Sequence, residues 1–273
     1  MKPSQRLARV KFGVFSCLVI GLMSQASIVT AEADISFDSI VGTNQLEYIE
    51  NALGTPEYEL ARSVARMEAG GGGYCSAFRI GETLIMTNYH CMVFKPCDQV
   101  SFHFAYERGL LASDSVQFKC SAVLSSLEHL DYALYRVEQV PTRSTYEVPI
   151  LALSDNSVAA GARLLFPSHA ATMPKQIDRS TDCIVAQATP YEGELRRSVG
   201  HNCDSMSGSS GSPLIRYDST PGAKGVVVGL HWGGRGDHLS LPYNQAIQAV
   251  DILEHLRSTV PEVVGELRID RED

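Results

Sequence analysis

From Leu60 onward the chain reads as a succession of short β-like runs cut by turn residues, and that rhythm restricts its fold more than any other feature. The pattern predicts strands near 61–68, 75–80, 83–88, 99–105, 117–124 and 131–137. A linker at 138–146, Glu-Gln-Val-Pro-Thr-Arg-Ser-Thr-Tyr, separates these from a second set near 148–153, 162–166, 182–188, 213–217 and 225–232. One helix is expected at the end, about 244–259, where Ala246, Val250 and Leu253 share a stripe flanked by Ile247, Ala249 and Leu256. Two groups of about six strands with almost no helix between them favour an all-β class built from antiparallel barrels over βαβ units.

Residues 1–31 have the form of a secretory signal. Lys2, Arg6, Arg9 and Lys11 precede an apolar run from residue 14 to 23, and Val29-Thr30-Ala31 offers a cleavage site. A retained anchor is the alternative, but the run is short for a bilayer and no other is longer. Residues 32–59 form an N-terminal extension or a pro-segment. The remaining expectation is a first barrel at 60–140, a second barrel with the helix at 141–265, and a tail at 266–273. The whole chain carries 23 cations and 31 acids. Losing the four cations of the first 31 residues leaves 19 against 31, a net −12. Such a surface argues against binding nucleic-acid phosphates and favours solubility. No stable membrane insertion is expected after signal removal, and a monomer is expected.

Six cysteines remain after that removal: Cys75, Cys91, Cys97, Cys120, Cys183 and Cys203. An even set in an exported chain points to disulfides and to a secreted or periplasmic location. The rival is a zinc site using Cys91, Cys97 and Cys120 with His90 or His103. It lacks a Cys-x-x-Cys knuckle, so no metal and no other cofactor is expected.

The chemistry concentrates in residues 204–213, Asp-Ser-Met-Ser-Gly-Ser-Ser-Gly-Ser-Pro. Gly208 and Gly211 flank Ser210 closely enough to fold the backbone sharply and aim amides into a small concavity. A nucleophilic serine needs that exposed hydroxyl and those amides. Upstream, Leu-Ile-Met-Thr-Asn-Tyr-His-Cys ends a strand in His90, and Leu-Asp-Tyr-Ala-Leu begins another with Asp131. Glu128 and Asp114 are rival acids. In this scheme Ser210 attacks, His90 carries the proton, and Asp131 fixes the imidazole tautomer and offsets its charge.

Thr-Asn-Tyr-His-Cys, Asp-Tyr-Ala-Leu and Gly-Ser-Ser-Gly-Ser-Pro, in that order, resemble the trypsin-like (chymotrypsin-fold) serine proteases. Gly-Ser-Pro at 211–213 and Leu-His-Trp-Gly-Gly at 230–234 are similar to the bacterial glutamyl endopeptidase branch. The resemblance spans roughly residues 60–256. It implies two six-stranded antiparallel barrels with the site between them, and an oxyanion hole from the Gly208 and Ser210 amides. It also implies peptide or protein substrates, a Cys75–Cys91 bridge closing the histidine loop, and then Cys183–Cys203 and Cys97–Cys120. In trypsin an acid at the place of Asp204 selects Lys or Arg. In the glutamyl branch a histidine at the place of His231 binds a substrate Glu, with Trp232 and Gly233 lining the pocket; the choice stays open here. His201 and His169 carry no role beyond structure.

Ile40-Val-Gly42 is similar to an activation cut site, yet Ser209 stands where the pairing acid belongs, so no such switch is expected. Arg235-Gly-Asp237 resembles an adhesion tripeptide, too short to carry a role. A catalytically inactive binding module on the same fold is the alternative function. A lipase needs Gly-x-Ser-x-Gly, but position 212 is Ser, and the order here is His, Asp, Ser.

Overall fold

The computed structural model describes residues 39–70, 73–93, 95–111, 114–192, 197–217, 224–234 and 242–271. The signal segment and the tripeptide at 235–237 lie outside the described residues. The N-terminal segment adds β1 (Glu47–Tyr48) and a short helix, α1 (Pro56–Ala61). Thr55 caps α1, its hydroxyl accepting from the Tyr58 N–H, and Pro56 takes the first helical position.

Six strands then close the first barrel: β2 (Val64–Ala69), β3 (Gly73–Arg79), β4 (Leu84–Thr87), β5 (Val100–His103), β6 (Gln117–Leu127) and β7 (Tyr132–Gln139). A single helical turn, α2 (Tyr89–Met92), follows β4. Alternation along β2 sends Ala65 and Met67 inward and Arg66 and Glu68 outward. Met67, Ile85, Phe102, Phe104, Phe118 and Tyr135 fill the interior.

The second half holds β8 (Ala152–Ser154), β9 (Leu164–Ser168), β10 (Gln176–Asp178), β11 (Val185–Glu192), β12 (Arg197–His201), β13 (Pro213–Arg216), β14 (Val226–Gly233) and β15 (Asn244–Gln248). Six of them run in the order β9-β13-β14-β15-β12-β11. The ends of that path meet at the Arg163–Ile184 bridge, where the Leu164 N–H donates to the Cys183 carbonyl, giving the second six-stranded barrel. β10 extends the sheet from β9 to β1. The chain ends with α3 (Ala249–Thr259), α4 (Pro261–Val264) and β16 (Ile269–Asp270), which lies parallel to β8.

The C-terminal helix therefore begins at Ala249, not at 244. Residues 244–248 are a strand between β14 and β12 with all five residues buried. Asn244, Gln245 and Gln248 are polar, so the run shows no alternation to mark it as a strand. Its apolar spacing merges with that of the helix behind it. β10 and β12 are likewise strands that the sequence pattern does not reveal.

Residues from 39 onward are built into the second barrel. Glu47 pairs with Ile177, Ile49 and Ala52 are fully buried, and the Ser39 carbonyl accepts from the Ser205 N–H and Asn244 Nδ2. Between the barrels, the fully buried Lys175 ammonium meets Glu107 at 3.0 Å. The hydroxyls of Tyr146 and Tyr58 also donate to Glu107. Burial lowers the pKa of Lys175, and the Glu107 charge opposes that. The three disulfides are Cys75–Cys91, Cys97–Cys120 and Cys183–Cys203. Their sulfurs are thus spent, including those of the Cys75–His90–Cys91 group, which removes the zinc alternative. Among the described residues, no helix is long and apolar enough to cross a membrane.

Candidate active site

β4 and β7 are paired up to Thr87–Ala133, so the residues just past β4 lie beside those just before β7. That brings His90, on α2, to Asp131. The carboxylate accepts from His90 twice, from the backbone N–H at 3.0 Å and from ring Nδ1 at 2.8 Å. Asp131 is fully buried, whereas the His90 side chain is 38% exposed. One edge of the ring is therefore anchored at Nδ1, and Nε2 lies on the opposite edge. Asp131 has φ +44°, a conformation that costs a non-glycine residue about 1–3 kcal/mol unless its surroundings hold it. They do: Asn88 Nδ2 donates to its carbonyl and its N–H donates to Glu128 O.

Ser210 sits in a turn between β12 and β13, outside any ladder. The Ser76 N–H donates to the Ser210 carbonyl at 2.8 Å, and the Gly211 N–H donates to the His231 carbonyl at 3.0 Å. Gly211 has φ +86°, and a Cβ there would lie 2.1 Å from the Ser76 carbonyl oxygen. Only glycine lets the turn press this close to β3. Gly208 has φ +92°, and a Cβ would meet the His169 carbonyl at 2.7 Å. Among the described residues, neither the Gly208 nor the Ser210 N–H has a protein acceptor. Ser209 is buried, its hydroxyl turned to Ser168. The histidine lies across from this turn, because Cys75 precedes Ser76 and its sulfur, the Cys91 sulfur and a His90 ring nitrogen lie within 4.8 Å of one another. Ser210 Oγ makes no hydrogen bond to His90 here. Such contacts commonly tighten only when substrate closes the site.

Asp204 does not face an open pocket. It is buried, with its carboxylate accepting from the Val41 N–H at 2.7 Å and the Gln45 N–H at 2.6 Å. Its own N–H donates to Asp178. Burial raises its pKa against the pull of those two amides. His231, on β14, is buried, and its Nδ1 meets His201 Nε2 at 3.0 Å. Phe166 packs on both rings. Burial, with the charge of His90 second, brings the His231 pKa down to about 3. Burial, then His231, also depresses His201. Sequence reasoning missed this pair because it missed β12, which carries His201 to the far edge of β15 from His231. Trp232 points the other way and belongs to the core beneath α3. Gly233 ends β14 and is buried beside Gly234.

No curated protein matches this sequence. Among solved structures, the active form of the Rv3671c protease from M. tuberculosis is similar over 84% of this chain and 94% of its own, with TM-score 0.57 and 16% identity. A Glu endopeptidase in complex with MPD is similar over 83% and 99%, with TM-score 0.56 and 14% identity. An HtrA-type protease with a tripeptide aligns over 78% of this chain and 63% of its own, with TM-score 0.56 and 15% identity. At these identities the likeness is one of fold. The family described as "Trypsin-like peptidase domain" matches residues 75–230, more than half of the chain and all of the stretch from the first bridged cysteine to β14. With two barrels, an aspartate-held histidine and a glycine-bracketed serine between them, the chain belongs to the trypsin-like peptidase family.

Proposed function

We propose that this chain is an exported serine endopeptidase in which His90, Asp131 and Ser210 act together. The observation that carries the reading is the 2.8 Å contact between a part-exposed imidazole and a fully buried carboxylate, set across from a serine whose neighbouring amides have no acceptor. Ser210 Oγ attacks a peptide carbonyl and passes its proton to His90 Nε2. The Gly208 and Ser210 N–H groups take the negative charge that develops on the carbonyl oxygen. His90 then protonates the departing amine, leaving an acyl-Ser210 ester. Water, deprotonated by His90, hydrolyses that ester and restores the hydroxyl. Asp131 holds the ring throughout. Three disulfides support an extracellular or periplasmic setting.

For the residue before the scissile bond, an acidic side chain is the better fit. Asp204 is satisfied by backbone amides from residues 41 and 45 and has little left for a substrate cation. His231 is held neutral by burial and, second, by the charge of His90, and an acidic side chain that displaced its contact with His201 would stabilise its protonated form.

The test is covalent labelling with a fluorophosphonate. The expected result is labelling and casein cleavage by the native chain, both lost in Ser210→Ala. A folded native chain that ignores the label would instead be a binding module. A peptide library then reads specificity: cuts after Glu are expected, and cuts after Lys or Arg would return Asp204 to the base of the pocket.

A further inference from the structure

Of the seven exposed large apolar side chains among the described residues, four (Tyr74, Tyr106, Leu110 and Leu111) lie around one arginine. Their centre is Arg66. Its guanidinium lies 4.2 Å from the Tyr74 ring centre and 4.6 Å from that of Tyr106, so the three planar groups form a stack on the outside of β2. Glu68 offsets the charge at 3.4 Å. One end of the stack opens on a cavity of about 430 Å³ lined by Tyr106, Leu110, Leu111 and His103. Tyr74 also lines a cavity of about 170 Å³ together with Met67, Ala69, Cys75, Cys91 and His90. The second barrel supports the stack: the Lys175 N–H donates to the Tyr106 carbonyl and the His169 ring packs on Tyr106. An apolar patch of this kind, rimmed by Glu68 and His103, marks a binding surface.

Its place relative to Ser210 selects the occupant. Ser210 is bracketed by β14, through the bonds that Gly211 and Ser212 make with His231, and by β3, through Ser76. A peptide whose acyl half lies along β14 with its side chain toward His231 must leave the turn over β3. Two residues back along β3 from Ser76 is Tyr74. We propose that the Tyr74–Arg66–Tyr106 stack and the leucine-lined cavity beyond it bind substrate residues on the leaving-group side of the cut bond, with a preference for large apolar side chains there. The continuity of the patch with the cavity at His90 commits it to substrate. This rests on the peptidase reading above.

The experiment uses pairs of peptides identical up to the scissile bond, with whichever residue there the library selects. They differ only in carrying Leu or Gly at the second and third positions after it. The quantity read is the ratio of kcat/KM for the two, measured in one preparation, which cancels any difference in the amount of active enzyme. For the native chain the ratio is expected to favour Leu by about tenfold, the scale of apolar discrimination in a pocket. In Leu111→Ser and in Tyr74→Ala it is expected to fall toward one. A native ratio near one, or variants that keep the tenfold ratio, overturns the proposal while leaving the peptidase intact. A native chain that neither cuts any peptide nor takes the fluorophosphonate overturns the peptidase reading itself. Variants that change the sedimentation of the protein with the ratio untouched would show the patch to join copies of the chain instead.

Discussion

In the first barrel the proposed base, His90, sits where two hydrogen-bonded strands run out; in the second, the proposed nucleophile, Ser210, sits in a turn that belongs to no ladder. His90 and Asp131 inherit their meeting from the β4–β7 register, and one carboxylate with two acceptor oxygens completes it. Ser210 has no such register. Its turn is gripped from several places: Ser76 and Thr87 side of β3–β4, His169 and Ala171 from the loop after β9, Asp178 from β10, Asn244 from β15, and the residues at 39–45 through Asp204. His90 is thus fixed by sheet register and one carboxylate, whereas a half-buried serine among glycines is held by scattered side-chain and backbone clasps.

That contrast can be broken first at Asp131. Asp131→Asn keeps the shape but puts an N–H where an acceptor is needed, so kcat should drop about 10⁴-fold with little change in thermal midpoint. A loss of less than tenfold in steady-state hydrolysis would mean that the barrel register alone orients His90. The second-barrel counterpart is Asp204→Ala. It removes the acceptor of two part-buried backbone amides and should cost about 1–3 kcal/mol, read as a shift in denaturant midpoint, with activity falling alongside. If midpoint and activity both stay native, the N-terminal clasp is dispensable for the nucleophile turn. The third test concerns the buried His201–His231 pair. Both folded pKa values lie below the ordinary 6.5, that of His231 at about 3. Below pH 6.5 the unfolded chain therefore binds protons that the folded one refuses, and stability is lost as pH falls from there toward 3. Each histidine contributes a slope approaching about 1.4 kcal/mol per pH unit. In His231→Phe, urea midpoints between pH 6 and 4 should fall less steeply than in the native chain. Equal slopes would show that His231 is already charged in the fold.

The same contrast explains how far the sequence could be read. His90, Asp131 and Ser210 stand out because each belongs to a short local motif, and their order along the chain is enough to suggest the fold. The first barrel's strands, with clear alternation in β2 and β5, are close to where pattern places them. Asn244 to Gln248 went unread because both their faces are covered, and their amides are used inward: Asn244 holds the Ser39 and Cys203 carbonyls, and Gln248 accepts from Val158. The clasp at Asp204 was equally hidden. It joins residues 163 and 159 positions apart, and nothing in either stretch names its partner.

The bridges have a consequence for how the chain oxidises. Four of the bonded cysteines lie in the first barrel's span and two in the second's, and none links one half to the other. Six thiols joined at random offer fifteen arrangements, whereas pairing confined within each half leaves three in one and a single choice in the other. Bridges that never cross between the halves thus reduce the pairing problem fivefold and leave the two barrels joined by packing and hydrogen bonds rather than by sulfur.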